Sequence, residues 1–365
     1  MNTCVFFPAE EPHLRGKLEA YLHWLEIQAT TIPRLRAFLL GGGYGRGEGG
    51  IFDPGDGIGA RLYNDLEFYL FASLVPSETV DSWVQEGEQR LGIDIEIKVM
   101  EPSTFEAAAP SMFYYDLLSR HMLVAGDQSW MESLPARLAE ASAIPPEEAS
   151  RLLVNRGMSL LRCRRWASGE MPLPAGFCER ILAKLKLALA DAVLCAATQY
   201  HWSCQERNRR LSSLQEGPPD WETLMAWHSE GVAFKFRPTD SELPPTEWAE
   251  PVERLRRAWL STFLWIESRR LMAGFSTPME YAHTSKRIFP ADPVTKNLVR
   301  QLRDLQRPAH VPFCWGDHPR SRIWKSLALL MEGSFEPEAA ALLGSPDLRG
   351  MALEEYCRTL WVNYP

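Results

Sequence analysis

The chain has 365 residues, of which 45% are hydrophobic and 24% charged, and its formal net charge is −8. This length allows two domains with separate cores, and the negative charge disfavours nonspecific binding to a nucleic-acid backbone. Seven cysteines without a Cys-x-x-Cys pair argue against a disulfide framework or a zinc site. Met1–Pro12 lacks a signal-peptide pattern, and no apolar run approaches the length of a membrane span. We therefore expect a soluble protein of a reducing cytoplasm.

The first 140 residues combine helical and strand patterns. Leucine and tyrosine side chains recur at helical spacing between residues 11 and 29, and two later segments alternate apolar and polar residues as strands do. The predicted elements in chain order are a helix at 11–29, a short strand at 36–40, a loop or tight hairpin at 51–62, a strand at 62–74, a helix at 77–90, a strand at 93–100, a helix at 103–122 and a turn at 125–127.

After residue 140 the pattern becomes almost entirely helical. Pro145-Pro146-Glu147-Glu148 is a linker and helix-start signal. The predicted helices lie at 147–167, 177–203, 251–273, 293–305, 320–332, 336–343 and 350–361, and prolines interrupt 205–250. The sequence thus predicts an α+β domain over residues 1–140 and an all-α domain over residues 147–365.

Acidic residues occupy one face of both alternating strands. Asp65 and Glu67 are two residues apart, so both side chains leave the same face, where their like charges repel. A divalent cation makes this arrangement favourable, and carboxylate oxygens suit Mg²⁺. Glu96 or Asp94 can supply a third carboxylate from the second strand and complete a site for two ions about 4 Å apart, as in phosphoryl or nucleotidyl transfer.

A glycine-rich turn follows the first short strand. Gly42 and Gly43 begin the segment Gly43-Tyr44-Gly45-Arg46-Gly47, where backbone N–H groups can approach and cradle phosphate oxygens. Arg46 adds a positive charge that can neutralise a triphosphate. No Gly-Lys-Ser/Thr follows, so the turn is not a P-loop.

These motifs resemble the nucleotidyltransferase superfamily, which includes DNA polymerase β and the small-molecule nucleotidyltransferases. In that family an apolar strand leads into a Gly-Ser or Gly-Gly turn, then Asp-x-Asp/Glu on a strand, then a third carboxylate on another strand. The resemblance covers about residues 39–100. Two features depart from the family: Gly43 replaces the usual serine, and residues 51–62 form an insertion.

The resemblance implies a mixed sheet with flanking helices, followed by a helical substrate-binding domain. It implies a catalytic site of Asp65, Glu67, Glu96 and Asp94, with the first three as metal ligands. Two Mg²⁺ ions and a nucleoside triphosphate would bind there, with nucleotide contacts from Gly42, Gly43, Tyr44 and Arg46. An acceptor hydroxyl would attack the α-phosphate and release pyrophosphate, and Asp94 could serve as general base if Glu96 binds metal.

Two lysines have two interpretations each. Lys98 shares the acidic face and either contacts phosphate or pairs with Glu96. Lys184, with Arg180 and Lys186, either reaches the triphosphate or forms a solvated basic face. Arg162, Arg164 and Arg165 are interpreted as surface or interface charges, and Tyr200 as part of an ordinary helix end.

The sequence leaves the acceptor open: a small molecule or a protein side chain. An alternative function is a non-catalytic nucleotide-binding or interaction protein, such as an antitoxin-like partner or a regulatory pseudoenzyme. A further alternative, template-independent RNA tailing, predicts a basic groove along the helical domain. The preferred base and the oligomeric state are not encoded in these motifs.

Overall fold

The computed structural model describes residues 5–8, 11–55, 57, 59–240, 243–307 and 309–364. The fold is mixed α+β and 58% helical, with a small mixed sheet and many helices. The chain divides into two compact units. Unit 1 comprises the described residues up to Glu148, together with Ala197–Leu214 and Met225–Asp240. Unit 2 comprises Ala149–Ala196, Gln215–Leu224 and the described residues from 243 onwards.

Helices and strands are mixed in the first part of the chain, and the described residues after Gly126 form helices without further strands. The strands are β1 Ala37–Leu40, β2 Gly50–Phe52, β3 Arg61–Tyr63, β4 Leu66–Phe71, β5 Ile95–Met100 and β6 Met122–Gly126. The first ten helices are α1 Pro12–Ala29, α2 Gly42–Gly45, α3 Ser77–Leu91, α4 Pro102–Glu106, α5 Met112–Ser119, α6 Gln128–Ser133, α7 Glu147–Ala167, α8 Phe177–Ala196, α9 Cys204–Leu211 and α10 Trp221–Phe236. The others are α11 Ala249–Arg270, α12 Pro278–Ala282, α13 Val294–Asp304, α14 Arg320–Glu332, α15 Glu336–Leu342 and α16 Gly350–Asn363, with 3-10 turns at Ala136–Ala139, Ala141–Ala143 and Pro245–Trp248.

The main sheet of unit 1 has four strands in the order β5-β4-β1-β6. Strand β1 is antiparallel to both β4 and β6, whereas β4 and β5 are parallel. The parallel pair is possible because α3 carries the chain back to the starting edge of the sheet. Strands β2 and β3 form a separate antiparallel hairpin.

Each face of the sheet packs against its own apolar cluster. Leu66, Phe68 and Leu70 lie on the face covered by α1 and α3, as the alternation predicted. Tyr69 and Phe71 lie on the opposite face, among side chains of α4, α5 and α6. Complete burial of one such side chain stabilises the fold by about 1.5–3 kcal/mol. Burial of Leu66, Phe68 and Leu70 on one face therefore determines that Glu67, which alternates with them, projects from the other face.

Unit 2 is built from helices whose core is rich in aromatic residues. Trp259 of α11 is fully buried, stacks on Phe263 with ring centroids 4.9 Å apart and donates a hydrogen bond from Nε1 to the Leu153 carbonyl oxygen at 2.7 Å. Glu267 of α11 is also fully buried, and it accepts hydrogen bonds from Tyr281, at 2.8 Å, and from Arg270. This core therefore contains a charge that is fully paired.

Several predicted elements differ from the observed ones. The predicted helix at 103–122 is two short helices, because Pro110 interrupts it and Met122 begins β6, which pairs with β1. The predicted helix at 177–203 ends at Ala196, and Thr198 has a left-handed φ of 56°. The predicted strand at 62–74 is divided between β3 and β4. Val99, predicted to face inward, is 44% exposed because β5 is an edge strand.

The segment 205–250, predicted to be interrupted by prolines, contains all of α10 and, except for its first residue, α9. Pro218, Pro219 and Pro238 lie between the helices rather than within them, where the missing N–H costs nothing. The predicted linker coincides with the division at Glu148, but Ala197–Leu214 and Met225–Asp240 group with unit 1. The six cysteines in the described ranges are free, and no helix there has the length and apolarity that crossing a membrane requires.

Candidate active site

The glycine turn connects β1 to the single helical turn α2. The Gly45 N–H donates to the Gly41 carbonyl oxygen at 2.8 Å. A Cβ atom on Gly45 would lie 2.1 Å from the Leu40 carbonyl oxygen, so no other residue fits there. Gly42 has a φ of +59°, which L-residues with a Cβ rarely adopt. The glycines therefore allow a turn that is tighter than other residues permit.

The Glu67 carboxylate lies directly against this turn. The Gly41 N–H donates to the Glu67 carbonyl oxygen at 2.8 Å, and a Cβ atom on Gly42 would lie 2.9 Å from Glu67 Oε2. The Tyr69 hydroxyl donates to the same oxygen at 3.2 Å. Burial, and then the adjacent Glu67 carboxylate, raise the pKa of Tyr69, so its hydroxyl stays protonated and remains a donor.

The other acids lie beside Glu67 on the parallel strand pair. Glu67 is the register partner of Glu96, and partners on adjacent strands project from the same face. Asp65 and Asp94 directly precede the paired segments, where the Leu66 N–H donates to the Asp94 carbonyl oxygen at 3.0 Å. All four predicted acids thus lie at the same end of two adjacent strands.

The acids differ in their partners. Glu96 is half-exposed, and its Oε1 lies 3.2 Å from Lys98 Nζ. Of the two predicted roles of Lys98, phosphate contact and pairing with Glu96, the structure thus contains the second. Within the described ranges Asp65 has no hydrogen bond or ion pair, and Glu67 has no cationic partner. Such half-buried carboxylates retain oxygens that suit a hard cation. No group of three or more His, Cys, Asp or Glu residues in the described part of the chain is already arranged around a metal position.

Tyr44, predicted to contact the nucleotide, has a buried side chain that holds the β2–β3 hairpin. Its hydroxyl is 2.8 Å from the carbonyl oxygens of both Gly50 and Tyr63, and it accepts a hydrogen bond from the Tyr63 N–H at 2.9 Å. Desolvation is the main reason why the pKa of this phenol is raised. Only the backbone of Tyr44 is thus left for contact with a phosphate.

Arg46, predicted to neutralise a triphosphate, is also largely buried. Its guanidinium Nη1 lies 3.4 Å from Asp116 Oδ2, and the Tyr200 hydroxyl donates to the same oxygen at 3.2 Å. Burial raises the pKa of Asp116, although Arg46 and Arg207 oppose this effect. The charge of Arg46 is therefore already opposed by an acid inside unit 1. Lys184 lies half-buried on α8 of unit 2.

Glu48 was not singled out from the sequence, yet its carboxylate ties the glycine segment to two later parts of unit 1. It accepts a hydrogen bond from the Cys204 N–H at 2.8 Å and forms a short ion pair with Lys235. Burial alone would raise the pKa of Glu48, but Lys235, and more weakly Arg207 and Arg46, lower it to about 2. Glu48 thus remains charged in a nearly dry environment.

We call Arg46, Glu48, Asp116, Tyr200, Arg207 and Lys235 the buried ion network. Its members come from four distant parts of the chain: 46–48, 116, 200–207 and 235. A charged residue whose partner is so far away in the sequence cannot be distinguished, from the sequence alone, from an ordinary surface residue. One signal in the sequence could have indicated this network: Arg46 and Glu48 have opposite charges and lie within the same glycine-rich segment. Glycines bring the backbone close together, so charged side chains among them are candidates for buried pairs. Tyr200 belongs to this network rather than to an ordinary helix end.

Comparison of the chain with protein families, with curated proteins and with solved structures found no match.

Proposed function

We propose that the chain is a Mg²⁺-dependent nucleotidyltransferase that transfers a nucleoside monophosphate from a nucleoside triphosphate to an acceptor hydroxyl. The observation that carries the proposal is the contact of the Glu67 carboxylate with the glycine turn at Gly42, in register with Glu96. A phosphate-cradling backbone and a cation-binding acid are then adjacent. The order β1, glycine turn, acidic β4 and acidic β5 in a mixed sheet supports a nucleotidyltransferase-like fold.

Each residue of the site has a role in this proposal. Gly42 and Gly43 let backbone N–H groups approach the phosphates, while Asp65, Glu67 and Glu96 hold Mg²⁺. Bound there, Mg²⁺ supplies charge neutralisation of the triphosphate and activation of the acceptor hydroxyl. Asp94, exposed at the start of β5, is the candidate general base. The acceptor is a hydroxyl of a small molecule or a protein side chain.

The test combines nucleotide binding with turnover. Each of the four nucleoside triphosphates is titrated with and without Mg²⁺, and pyrophosphate release is then followed with a panel of small-molecule and protein acceptors. We expect Mg²⁺ to strengthen binding at least tenfold and one acceptor class to support release. Nucleotide binding that is equally tight with and without Mg²⁺ contradicts the metal assignment. Tight nucleotide binding without pyrophosphate release on any acceptor favours a non-catalytic nucleotide-binding protein.

The third metal ligand is settled by a matched pair of variants. Asp94→Asn and Glu96→Gln each remove one charge from the same face of β5. The variant that removes a metal ligand should require a higher Mg²⁺ concentration for half-maximal binding of nucleotide. The other should leave that concentration unchanged, and if Asp94 is the base, should lower turnover with a shifted pH profile.

A further inference from the structure

Unit 2 contains a half-enclosed cavity of about 370 Å³. Its walls come from α7, α16 and the segment after α7, and they are mostly apolar. The apolar lining residues are Met158, Leu161, Met171, Met351 and Ala352. This volume falls in the range of small-molecule sites, about 300–1,000 Å³. Methionines are flexible and polarisable, so such walls can adapt to apolar ligands of different lengths.

Most charged groups at the rim of this cavity already have partners. Arg165 forms a bidentate pair with Glu354, at 3.0 Å from Nε and 2.8 Å from Nη2. Arg358 donates from Nε to Glu355 at 2.9 Å. Of the two predicted roles of Arg165, surface or interface charge, the second describes it better, since its side chain is only 18% exposed and is paired within unit 2. The paired charges offer little attraction to a ligand.

Arg162 is the exception at the rim. Its guanidinium lies over the ring of Phe177, 5.1 Å from the centroid, and it makes no hydrogen bond or ion pair with the described residues. It still influences Glu355, whose pKa is lowered mainly by the Arg358 hydrogen bond and less by Arg162. The guanidinium group carries five N–H donors, and here the described residues accept none of them. A half-buried guanidinium in this state can bind an anion such as a carboxylate.

We propose that this cavity binds a small amphipathic carboxylate, a molecule with a linear apolar chain and one anionic end. Arg162 would take the carboxylate as a bidentate pair, and the apolar chain would lie against the methionines. Arg165 pairs with Glu170 and Glu336 as well as with Glu354, and Arg358 pairs with Glu355, so among the described residues Arg162 is the lining cation left to attract a carboxylate. The proposal does not depend on the nucleotidyltransferase site.

The test uses the full-length chain and calorimetric titration with octanoate, and with octanol and octylammonium as uncharged and cationic controls. We expect octanoate to bind at least about tenfold more tightly than either control, because only the carboxylate can form a charge-assisted bidentate pair with Arg162. Equal binding of the three probes, or no binding of octanoate, overturns the proposal.

Three variants locate the site. Arg162→Gln should weaken octanoate binding about tenfold and leave octanol binding unchanged, whereas the matched variant Arg358→Gln, which removes an already paired arginine, should change it less than about threefold. Ala352→Phe fills the cavity without altering charge and should abolish binding of both octanoate and octanol. Normal octanoate binding by Arg162→Gln or by Ala352→Phe contradicts the proposed site.

Discussion

Glu48 and Glu67 flank the same β2–β3 hairpin, but they lie in opposite environments. Glu48 is 5% exposed, and its carboxylate is held by the Cys204 N–H and by Lys235. Glu67 is half-buried against Gly42, and the only hydrogen bond that its carboxylate accepts in the described chain comes from the Tyr69 hydroxyl. The Glu48 carboxylate is surrounded by cations of the protein, whereas the Glu67 carboxylate has no cationic partner among the residues that the structure describes.

This difference separates a structural acid from one that can act on a ligand. A buried carboxylate with a fixed cation has no capacity left for Mg²⁺, and removing either partner leaves an uncompensated charge. A half-buried carboxylate without a cation can exchange water for a metal ion at little structural cost. The buried ion network holds the later segments of unit 1 against the glycine turn, while the strand acids remain available at the turn.

The largest expected effect is on activity, from Glu67→Gln. Glutamine can still accept the Tyr69 hydrogen bond but loses the charge that we propose to bind Mg²⁺, so the transfer rate should fall by about 10³-fold or more. The free energy of unfolding should change by less than about 0.5 kcal/mol. The matched control is Glu101→Gln, an acid at the far end of β5 that accepts a hydrogen bond from Ser73 and should keep full activity. Wild-type turnover in Glu67→Gln would remove Glu67 from the metal site.

The next effect is on stability, from Glu48→Gln. Removing this charge leaves Lys235, whose side chain is only 16% exposed, without its partner, so the free energy of unfolding measured with urea should fall by about 3–5 kcal/mol. Glu86→Gln breaks an exposed helical pair with Arg90 and should cost less than about 1 kcal/mol. The double variant Glu48→Gln/Lys235→Met should recover part of the loss. If Glu48→Gln and Glu86→Gln lower the free energy of unfolding by the same amount, the buried ion network does not stabilise the fold.

The pH dependence gives an independent measure of the same contrast. The pKa of Glu48 is lowered from 4.5 to about 2 in the folded chain, so the folded state binds fewer protons at this group than the unfolded state. Its contribution of about 3 kcal/mol is therefore complete above pH 4.5 and is lost as the pH falls towards 2. Asp116 has a raised pKa, so its effect on stability changes with pH in the opposite direction. Because Asp116 is present in both wild type and Glu48→Gln, a comparison of these two proteins isolates the contribution of Glu48.

The measurement is the difference in unfolding free energy between wild type and Glu48→Gln at a series of pH values. This difference should be constant near neutral pH and shrink between about pH 4.5 and pH 2. A difference that does not change with pH would contradict the lowered pKa of Glu48.

The strand acids could be predicted because their signal is local. The alternation of Leu66, Phe68 and Leu70 with Asp65 and Glu67 assigns the two faces of β4 without any knowledge of the rest of the chain. The same reasoning indicated an acidic face on β5. The register that places Glu96 beside Glu67 depends on α3 and on parallel pairing, and the sequence indicated only that a neighbouring strand would supply an acid.

The buried ion network could not be predicted, because its energy comes from pairs of residues that are distant in the chain. Arg46 next to a glycine turn has the same sequence pattern whether it contacts phosphate or Asp116. Tyr44 looks like a nucleotide-contacting residue until Tyr63 supplies backbone partners for its hydroxyl. The prolines near α9 and α10 indicated loops, and only tertiary packing decides that helices form between them.

The smallest expected effect comes from Gly42→Ala, and it tests the contact between the turn and Glu67. Alanine at a φ of +59° costs about 1–2 kcal/mol, and its Cβ would also displace the Glu67 carboxylate 2.9 Å away. Gly55→Ala is the matched control, since Gly55 has a φ of +69° and nothing within 4 Å of a Cβ. Both variants should lose similar stability, but only Gly42→Ala should lower the transfer rate, by about tenfold. Equal rates in the two variants would mean that the position of Glu67 against the turn does not matter for transfer.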